Sequence, residues 1–383
     1  MQNKKRLSSM SNIVISGSGL FIPPHSISND ELIAAYNAYV EKFNAEHAAA
    51  IEAGETEALP SSSSEFVEKA SGIKSRYVMY KDGMLDPERM APVFKPALEG
   101  DEPETVTMAV AAAKEAMAQA GKTADDIDLV IMGTTNHQRP YPSAAVEVQK
   151  KLGISGFAYD MGIACSTMTF AMINAYTALK AGTAKCALVV NPEFASPQLN
   201  LKSRDSHFIF GDVATAVVME KEENCTSEYA FRILNTKQMT TFSDNIRCDG
   251  NYTDHNFSAG QLPDDRPYFR QNGRKVFKEL LPLVTGFITE QLTENQLQPT
   301  DLKRMWLHQA NLTMNMFAAK KLLGREPAAD DTPIVLDEFA NTASAGSLIA
   351  FHRHKDGFAP GDKGLICSFG AGYSVGSLLV EKL

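Results

Sequence analysis

No stretch of this chain approaches the roughly 20 consecutive apolar residues needed to cross a bilayer, so no membrane span is expected. Its five cysteines (Cys165, Cys186, Cys225, Cys248 and Cys367) are odd in number and scattered, without the spacing of a metal site. That argues against a disulfide framework and suggests free thiols in a reducing compartment, hence a cytoplasmic protein. An excess of basic charge is also missing: 37 Lys+Arg against 46 Asp+Glu leave a net charge of −9. Broad nucleic-acid binding is thereby disfavoured, and any basic docking site must be local. Lys4, Lys5 and Arg6 precede an apolar stretch from Ile13 to Ile22. Gly17 and Gly19 interrupt that stretch, Pro23 and Pro24 end it, and no small-residue cleavage site follows, so it reads as a first β-strand.

What is present fits a soluble globular protein of 383 residues, 44% hydrophobic and 22% charged, long enough for two domains. Apolar periodicity predicts helices over 105–120, 167–181, 274–292 and 312–323. Buried strands are predicted over 127–132, 187–190, 213–220 and 305–307. Such alternation argues for α/β layers. The chain also resembles itself at an offset of about 175 residues: "DDIDLVIMGTTN" (125–136) answers to "TDLKRMWLHQAN" (300–311), which is far longer than a solenoid period. At the same offset Cys165 and Asn341 both stand where small residues lead into a helix, and His308 answers to Gly133. A duplicated domain is the reading, with halves 1–222 and 223–383 brought face to face. An Ala-, Glu-, Ser- and Pro-rich region at about 41–104 lies outside the repeat and reads as an elaborated insertion on the first half.

Three residues could carry chemistry. Cys165, in "GIACSTMT", precedes a helix whose positive end favours thiolate, although a lone cysteine reads more readily as a small buried hydrophobe. His308, in "MWLHQAN", follows an apolar strand, where α/β active sites gather; a core or capping histidine would stand there as well. Asn341, in "FANTASAG", could be simply a helix N-cap.

Taken together, "AC" at 164–165, "IFGDVATA" at 209–216, "HQAN" at 308–311, "NTASAGS" at 341–347 and "SFGAGYSVGS" at 368–377 make the chain resemble the β-ketoacyl-acyl-carrier-protein synthase III family. The resemblance runs from Asn12 to the C-terminus apart from the insertion. It implies the thiolase-like five-layered αβαβα fold of two related halves, and a homodimer. The implied reaction is a decarboxylative Claisen condensation that initiates fatty-acid synthesis. Cys165 takes the acyl group from an acyl-CoA primer, and malonyl-acyl carrier protein supplies the enolate. His308 and Asn341 form one oxyanion hole by resemblance, and the backbone N–H groups of Cys165 and Ala371 form the other. Gly370 and Gly372 are expected to let that backbone approach a ligand.

The same resemblance places Phe66 and Arg204 on either side of adenine, Asn311 on the pantetheine arm and Phe369 beside the nucleophile. Lys320 and Lys321 are matched to carrier-protein docking positions. The plainer readings of these residues are interior phenylalanines, an exposed arginine, a helix cap and a solvated helix face. Tyr141 matches a position that reaches across a dimer interface to cap the acyl pocket. No metal or organic cofactor is implied, because decarboxylation itself generates the enolate.

The chain departs from the family pattern at "CSTMTF" after the nucleophile, at Thr313 and Arg274, and at Ala70 near the nucleotide. With the insertion, these changes open the primer to medium-chain as well as acetyl groups. Related Cys–His–Asn enzymes of polyketide or quinolone-type metabolism, and a non-catalytic acyl-thioester binder, are the competing expectations.

Overall fold

In the segment Leu129–Gly133, Leu129 and Ile131 face one apolar cluster while Val130 and Met132 face another, and all are buried. A strand covered on both faces is the signature of a layered α/β protein. The same alternation in Ala187 and Val189 against Leu188 and Val190, and in Trp306 against Met305 and Leu307, builds the whole molecule. The protein is seen in a computed structural model that describes residues 11–94, 100–250, 254, 258, 260 and 263–383. Lys4, Lys5 and Arg6 lie outside the described residues.

The strands in chain order are β1 (Ile13–Phe21), β2 (His25–Ser28), β3 (Ser75–Val78), β4 (Leu129–Gly133), β5 (Phe157–Met161), β6 (Cys186–Glu193) and β7 (Val213–Lys221). They continue as β8 (Phe231–Ser243), β9 (Ile246–Arg247), β10 (Arg270–Gln271), β11 (Leu302–Leu307), β12 (Lys363–Gly370) and β13 (Gly372–Lys382). The helices are α1 (Asn29–Glu46), α2 (Ala48–Glu52), α3 (Ser64–Ser71), α4 (Glu104–Ala120) and α5 (Ala144–Leu152). Beyond them come α6 (Thr167–Ala181), α7 (Gly273–Glu294), α8 (Leu312–Leu323), α9 (Leu336–Phe339) and α10 (Gly346–Arg353). The strands and helices expected from periodicity all form, with ends shifted by one to three residues; α6 and α8 keep their expected bounds.

Nine strands pair in the order β11-β12-β13-β8-β1-β7-β6-β4-β5. Within this order one pattern occurs twice. On one side β4 and β6 are parallel, β6 and β7 antiparallel, and β7 pairs antiparallel with β1. On the other side β11 and β12 are parallel, β12 and β13 antiparallel, and β13 pairs antiparallel with β8. Among the described residues the two half-sheets meet where Val14 pairs with Arg232 and Ile15 with Phe231. Helices α6 and α10 lie between them in one central apolar cluster, α4 and α5 cover the outside of the first, and α7 and α8 cover the outside of the second. The result is five layers, αβαβα.

Gly17 and Gly19 have a packing reason. A Cβ at either would strike the carbonyl oxygen of Ala116 or Ala112, so their absence lets the alanine-rich face of α4 sit directly on β1.

The region between β1 and α4 is ordered wherever it is described. Ile27, Leu32, Tyr36, Val67 and Ile73 form a fourth cluster with Leu199, Phe208, Phe210 and Leu336. Even the serine run is anchored: Asn37 donates to the carbonyl of Ser62 at 3.0 Å, and Ser63 caps α3 by accepting from the Phe66 N–H at 3.1 Å. Buried Arg76 ties the region to the loop after β6, donating to the carbonyls of Ile27 and Phe208 at 3.2 Å each and to Asn29 at 2.8 Å. This region thus fixes Phe66 in place.

Candidate active site

After β5 the chain turns sharply. Ala164 takes a left-handed conformation (φ 53°), Ala164–Ser166 form one 3₁₀ turn, and α6 follows. A β-carbon at positive φ is strained, and such strain persists only where surrounding contacts hold it. Here Thr167 Oγ1 accepts from the Ile163 N–H at 2.8 Å and donates to the Ala164 carbonyl at 2.7 Å. Ser166 Oγ lies 3.2 Å from the carbonyl of Ser368 and 3.0 Å from that of Ser374, tying the turn to β12 and β13 of the opposite half.

Cys165 therefore sits against β12. A Cβ on Gly370 would lie 2.5 Å from the Cys165 Cβ and 2.7 Å from its Sγ. The space freed by the missing side chain of Gly370 is thus filled by the nucleophile itself. One correction concerns the thiol. Burial pushes it above its ordinary value, the buried Glu193 carboxylate adds to that, and the N–H groups of Ala371 and of Cys165 itself pull the other way. Dense surroundings outweigh the helix end, so the ligand-free thiol is held protonated.

His308 follows β11. Its N–H donates to the Cys367 carbonyl at 2.9 Å, and its own carbonyl accepts from Asn315 Nδ2 at 2.8 Å. The ring packs edge-on to Phe369 at 5.4 Å, and Nδ1 has no hydrogen-bond partner among the described residues. Burial pushes the imidazole down to about 4, so at neutral pH it is uncharged, with one N–H to donate. Asn341 follows Ala340, another left-handed alanine (φ 58°). Its backbone N–H donates to Ile209 at 2.9 Å, and its Oδ1 accepts from the Ala343 N–H at 2.9 Å. That bond fixes the carboxamide: the oxygen is occupied, and the Nδ2 donor is left for the cavity.

Two cavities converge on Cys165. The first, about 840 Å³, is lined by Cys165, His308, Asn341, Phe369 and Gly370 at its base and by Phe66, Ala70, Asp205, Arg274, Asn311 and Thr313 elsewhere. The second, about 640 Å³, is lined by Ile163, Ala164, Cys165, Phe210, Phe242, Ile246, Phe269, Ala371 and Gly372, with His137, Arg247 and Asp249 among its polar members. A thiol between two concavities, with uncharged donors on one side and the Ala371 backbone on the other, can exchange a group between two bound partners.

The remaining expected residues divide. Arg204 stacks over Phe66 with its guanidinium carbon 4.0 Å from the ring centre and donates to the Ser61 carbonyl at 2.9 Å. Asn311 caps α8, accepting from the Met314 N–H at 3.1 Å, and donates to the Ala70 carbonyl at 2.9 Å, so both ends of its carboxamide are engaged within the protein. Lys320 is ion-paired with Glu326, whereas Lys321 beside it is exposed. Tyr141 borders neither cavity and is 81% exposed.

Sequence reasoning missed Glu193. It is fully buried at the end of β6, where it accepts from the Thr135 N–H at 3.1 Å, from Asn191 Nδ2 at 3.1 Å and from the Ser344 N–H at 3.2 Å. It thereby pins the loop bearing Asn341 to the first half-sheet. Its only signal was an acidic residue closing a strand buried along its full length. Among the described residues no cluster of His, Cys, Asp or Glu could hold a metal ion, and no helix is long and apolar enough to cross a membrane.

Comparison with known proteins follows the same lines. The family model described as 3-oxoacyl-[acyl-carrier-protein] synthase III matches residues 159–241, and its C-terminal counterpart matches 292–382. The chain is 49% identical over 349 residues to the beta-ketodecanoyl-[acyl-carrier-protein] synthase of Pseudomonas aeruginosa, spanning 91% of this chain and 99% of that protein. It is 32% identical over 289 residues to the beta-ketoacyl-[acyl-carrier-protein] synthase III of Brucella anthropi, spanning 74% of this chain and 86% of that one. The crystal structure of the 3-oxoacyl-[acyl-carrier-protein] synthase III of Aquifex aeolicus superposes with a TM-score of 0.74 at 24% identity, covering 96% of this chain and 99% of that one. That likeness concerns the fold, which is thiolase-like.

Proposed function

Because the chain belongs to the 3-oxoacyl-[acyl-carrier-protein] synthase III family, and is thus an acyl-transferring condensing enzyme of fatty-acid biosynthesis, we propose that it joins a medium-chain acyl-CoA primer to malonyl-acyl carrier protein. The observation that carries this reading is the Cys165 thiol at the junction of two cavities. One cavity admits the thioester's pantetheine arm past Phe66 and Asn311, with Arg204 at its mouth; the other holds the acyl chain.

The Cys165 sulfur attacks the thioester carbonyl. A new carbon–sulfur bond forms, the bond to coenzyme A breaks, and the departing thiol takes up the proton. The N–H groups of Cys165 and Ala371 receive the oxyanion of that step. Malonyl-acyl carrier protein then enters the first cavity, guided to its mouth by Lys321 and, once freed of Glu326, by Lys320. Loss of carbon dioxide leaves an enolate whose oxygen is met by the His308 imidazole and Asn341 Nδ2. Neither donor brings net charge, and one such donor is worth about 3–4 kcal/mol in the barrier. The enolate carbon attacks the acyl carbonyl, and Cys165 leaves as thiolate. A reaction of this form uses no metal or organic cofactor.

The primer follows from two observations. A cavity of 640 Å³ has the size of a drug-sized ligand site rather than an acetyl pocket. The relative from Pseudomonas aeruginosa is named for a ten-carbon β-keto product, which an eight-carbon primer and two malonyl carbons would give. Octanoyl-CoA is therefore the proposed donor, and the cytoplasm, where coenzyme A thioesters are made, the proposed place.

A homodimer completes the reading. Exposed Tyr141, Val146 and Phe157 lie with β5, the strand at one end of the sheet, and Tyr141 would cap the partner's acyl cavity.

Intact-protein mass spectrometry after exposure to the acetyl- to decanoyl-CoA series tests the proposal, with Cys165→Ser as control. The expected result is an octanoyl adduct that is absent from the control. No adduct with any acyl-CoA would overturn the first half-reaction.

A further inference from the structure

Glu193, fully buried at the end of β6, has no ion-pair partner among the described residues. A buried carboxylate without a counter-charge costs stability unless donors surround it. The donors around this one come from both halves of the molecule. Oε2 accepts from the Thr135 N–H at 3.1 Å and from the Thr135 hydroxyl at 2.7 Å, on the loop after β4. Oε1 accepts from the Ser344 N–H at 3.2 Å and from the Ser344 hydroxyl, on the loop before α10. Asn191 Nδ2 adds a contact to Oε1 at 3.1 Å and donates to the Gly133 carbonyl at 2.7 Å. A glutamine of the same shape has a single accepting oxygen and could keep only one of the two backbone donors. A carboxylate keeps both.

The second of those loops carries Asn341. The Asn341 backbone is held independently: its N–H donates to Ile209 at 2.9 Å, and its carbonyl accepts from the Gly211 N–H at 3.1 Å. Its side chain depends on the loop. The carboxamide oxygen accepts from the Ala343 N–H at 2.9 Å, and Ala343 is held at φ 49° directly before Ser344. A residue with a β-carbon stays at positive φ only where its neighbours impose it, and here the neighbour is Ser344 bound to Glu193. We propose that Glu193 is a positioning residue for the malonyl half-reaction, holding the turn at Ala343 and Ser344 so that Asn341 keeps its Nδ2 donor turned to the first cavity. This inference rests on the proposed function and deepens it by naming what orients one of its two enolate donors.

A double-mutant cycle separates positioning from packing. Carbon dioxide release from malonyl-acyl carrier protein, with and without prior octanoylation, is measured for the full chain, Glu193→Gln, Asn341→Ala and the double variant. Glu193→Gln should release carbon dioxide about tenfold more slowly, a share of the roughly 10²–10³ that one such donor contributes. In the Asn341→Ala background the same change should cost less than about twofold, because the group through which Glu193 acts is already gone. Acylation of Cys165, followed by mass spectrometry, should not slow in Glu193→Gln. Removing the carboxylate takes away a charge that disfavours thiolate, so a loss confined to decarboxylation is the signature of positioning. Ser344→Ala removes the hydroxyl donor and keeps the backbone one; it should show a smaller loss of the same kind, and it carries the cycle if Glu193→Gln does not fold.

A loss that disappears in the Asn341→Ala background supports the proposal. An undiminished rate in Glu193→Gln, the same fractional loss whether or not Asn341 is present, or acylation slowed as much as decarboxylation overturns it. Failure of the underlying reading looks different: Asn341→Ala would itself release carbon dioxide at the parental rate, which removes the donor role and this inference with it. A missing octanoyl adduct in the parent marks failure of the first half-reaction, and the cycle is then decided by the measurement without octanoylation.

Discussion

Replacing Gly370 by alanine should disable the nucleophile while leaving most of the fold intact. The new methyl would lie 2.5 Å from the Cys165 Cβ and 2.7 Å from its Sγ. Non-bonded carbon contacts settle at about 3.5–4.0 Å, so one group must retreat by about 1 Å. β12 is buried and paired on both sides, with β11 and with β13, and cannot move away; the turn bearing Cys165 must yield. Overpacking of this kind costs about 1–3 kcal/mol of stability. A displacement of about 1 Å at a reacting group costs on the order of a hundredfold in rate. Octanoyl-adduct formation at Cys165, followed by mass spectrometry, should therefore slow by about two orders of magnitude while thermal unfolding shows a folded protein. Gly364→Ala is the comparator: its Cβ would meet the Trp306 ring, on the same strand but away from both cavities. It should lose stability while acylation per folded molecule holds. If Gly370→Ala acylates at the parental rate, the account of how Cys165 is positioned is wrong.

Asn341→Asp should leave adduct formation largely intact and lower carbon dioxide release from malonyl-acyl carrier protein by about 10²–10³-fold, because the Nδ2 donor becomes an anionic oxygen. The two half-reactions, measured separately, check this. Acid should destabilise the parent through His308. The folded imidazole is held near 4 against an ordinary 6.5, so the unfolded chain takes up the proton first as the pH falls through that window. Stability should drop by up to about 3 kcal/mol between pH 6.5 and 4 from this group alone. His207 shifts in the same direction, to about 4. The contribution of His308 is therefore read from the smaller decline of His308→Gln in denaturant titrations at pH 7 and 4.5, and equal declines would refute it.

What the sequence made legible, and what it did not, follows physical lines. The bounds of α6 and α8 were readable because their stops are chemical: Gly182 and Gly324 take left-handed φ at the two C-termini, and Asn311 caps the start of α8. The pairing of Cys165 with Asn341 was readable because each precedes a helix of the central layer, and that layer repeats. The direction of the thiol shift was not readable, since it depends on how closely β12 presses on Cys165 from about 200 residues away in the chain. Nor was the order of the serine run, which depends on Asn37 and Ser63 and not on composition. Glu193 was invisible for the same reason: a buried carboxylate satisfied by Ser344 and Thr135 acquires meaning only when the two half-sheets are side by side.

The two halves share one more feature, and it bears on why the site works. A left-handed alanine directly precedes each key residue, Ala164 before Cys165 and Ala340 before Asn341. Glycine would adopt either conformation freely, whereas alanine there costs on the order of 1–3 kcal/mol. We propose that in each half the residue before the reacting group is held at positive φ, and that the strain holds the reacting groups to one geometry. Ala164→Gly and Ala340→Gly then separate strain from stability. Glycine relieves the native strain but adds about 0.5–1 kcal/mol of unfolded-state entropy, so the midpoint of unfolding should stay level or rise. Activity should fall selectively: Ala164→Gly slows acylation of Cys165, and Ala340→Gly slows decarboxylation after a normal acylation. A lowered midpoint with both half-reactions reduced alike would mean that the alanines serve packing and that the parallel between the halves has no mechanistic content.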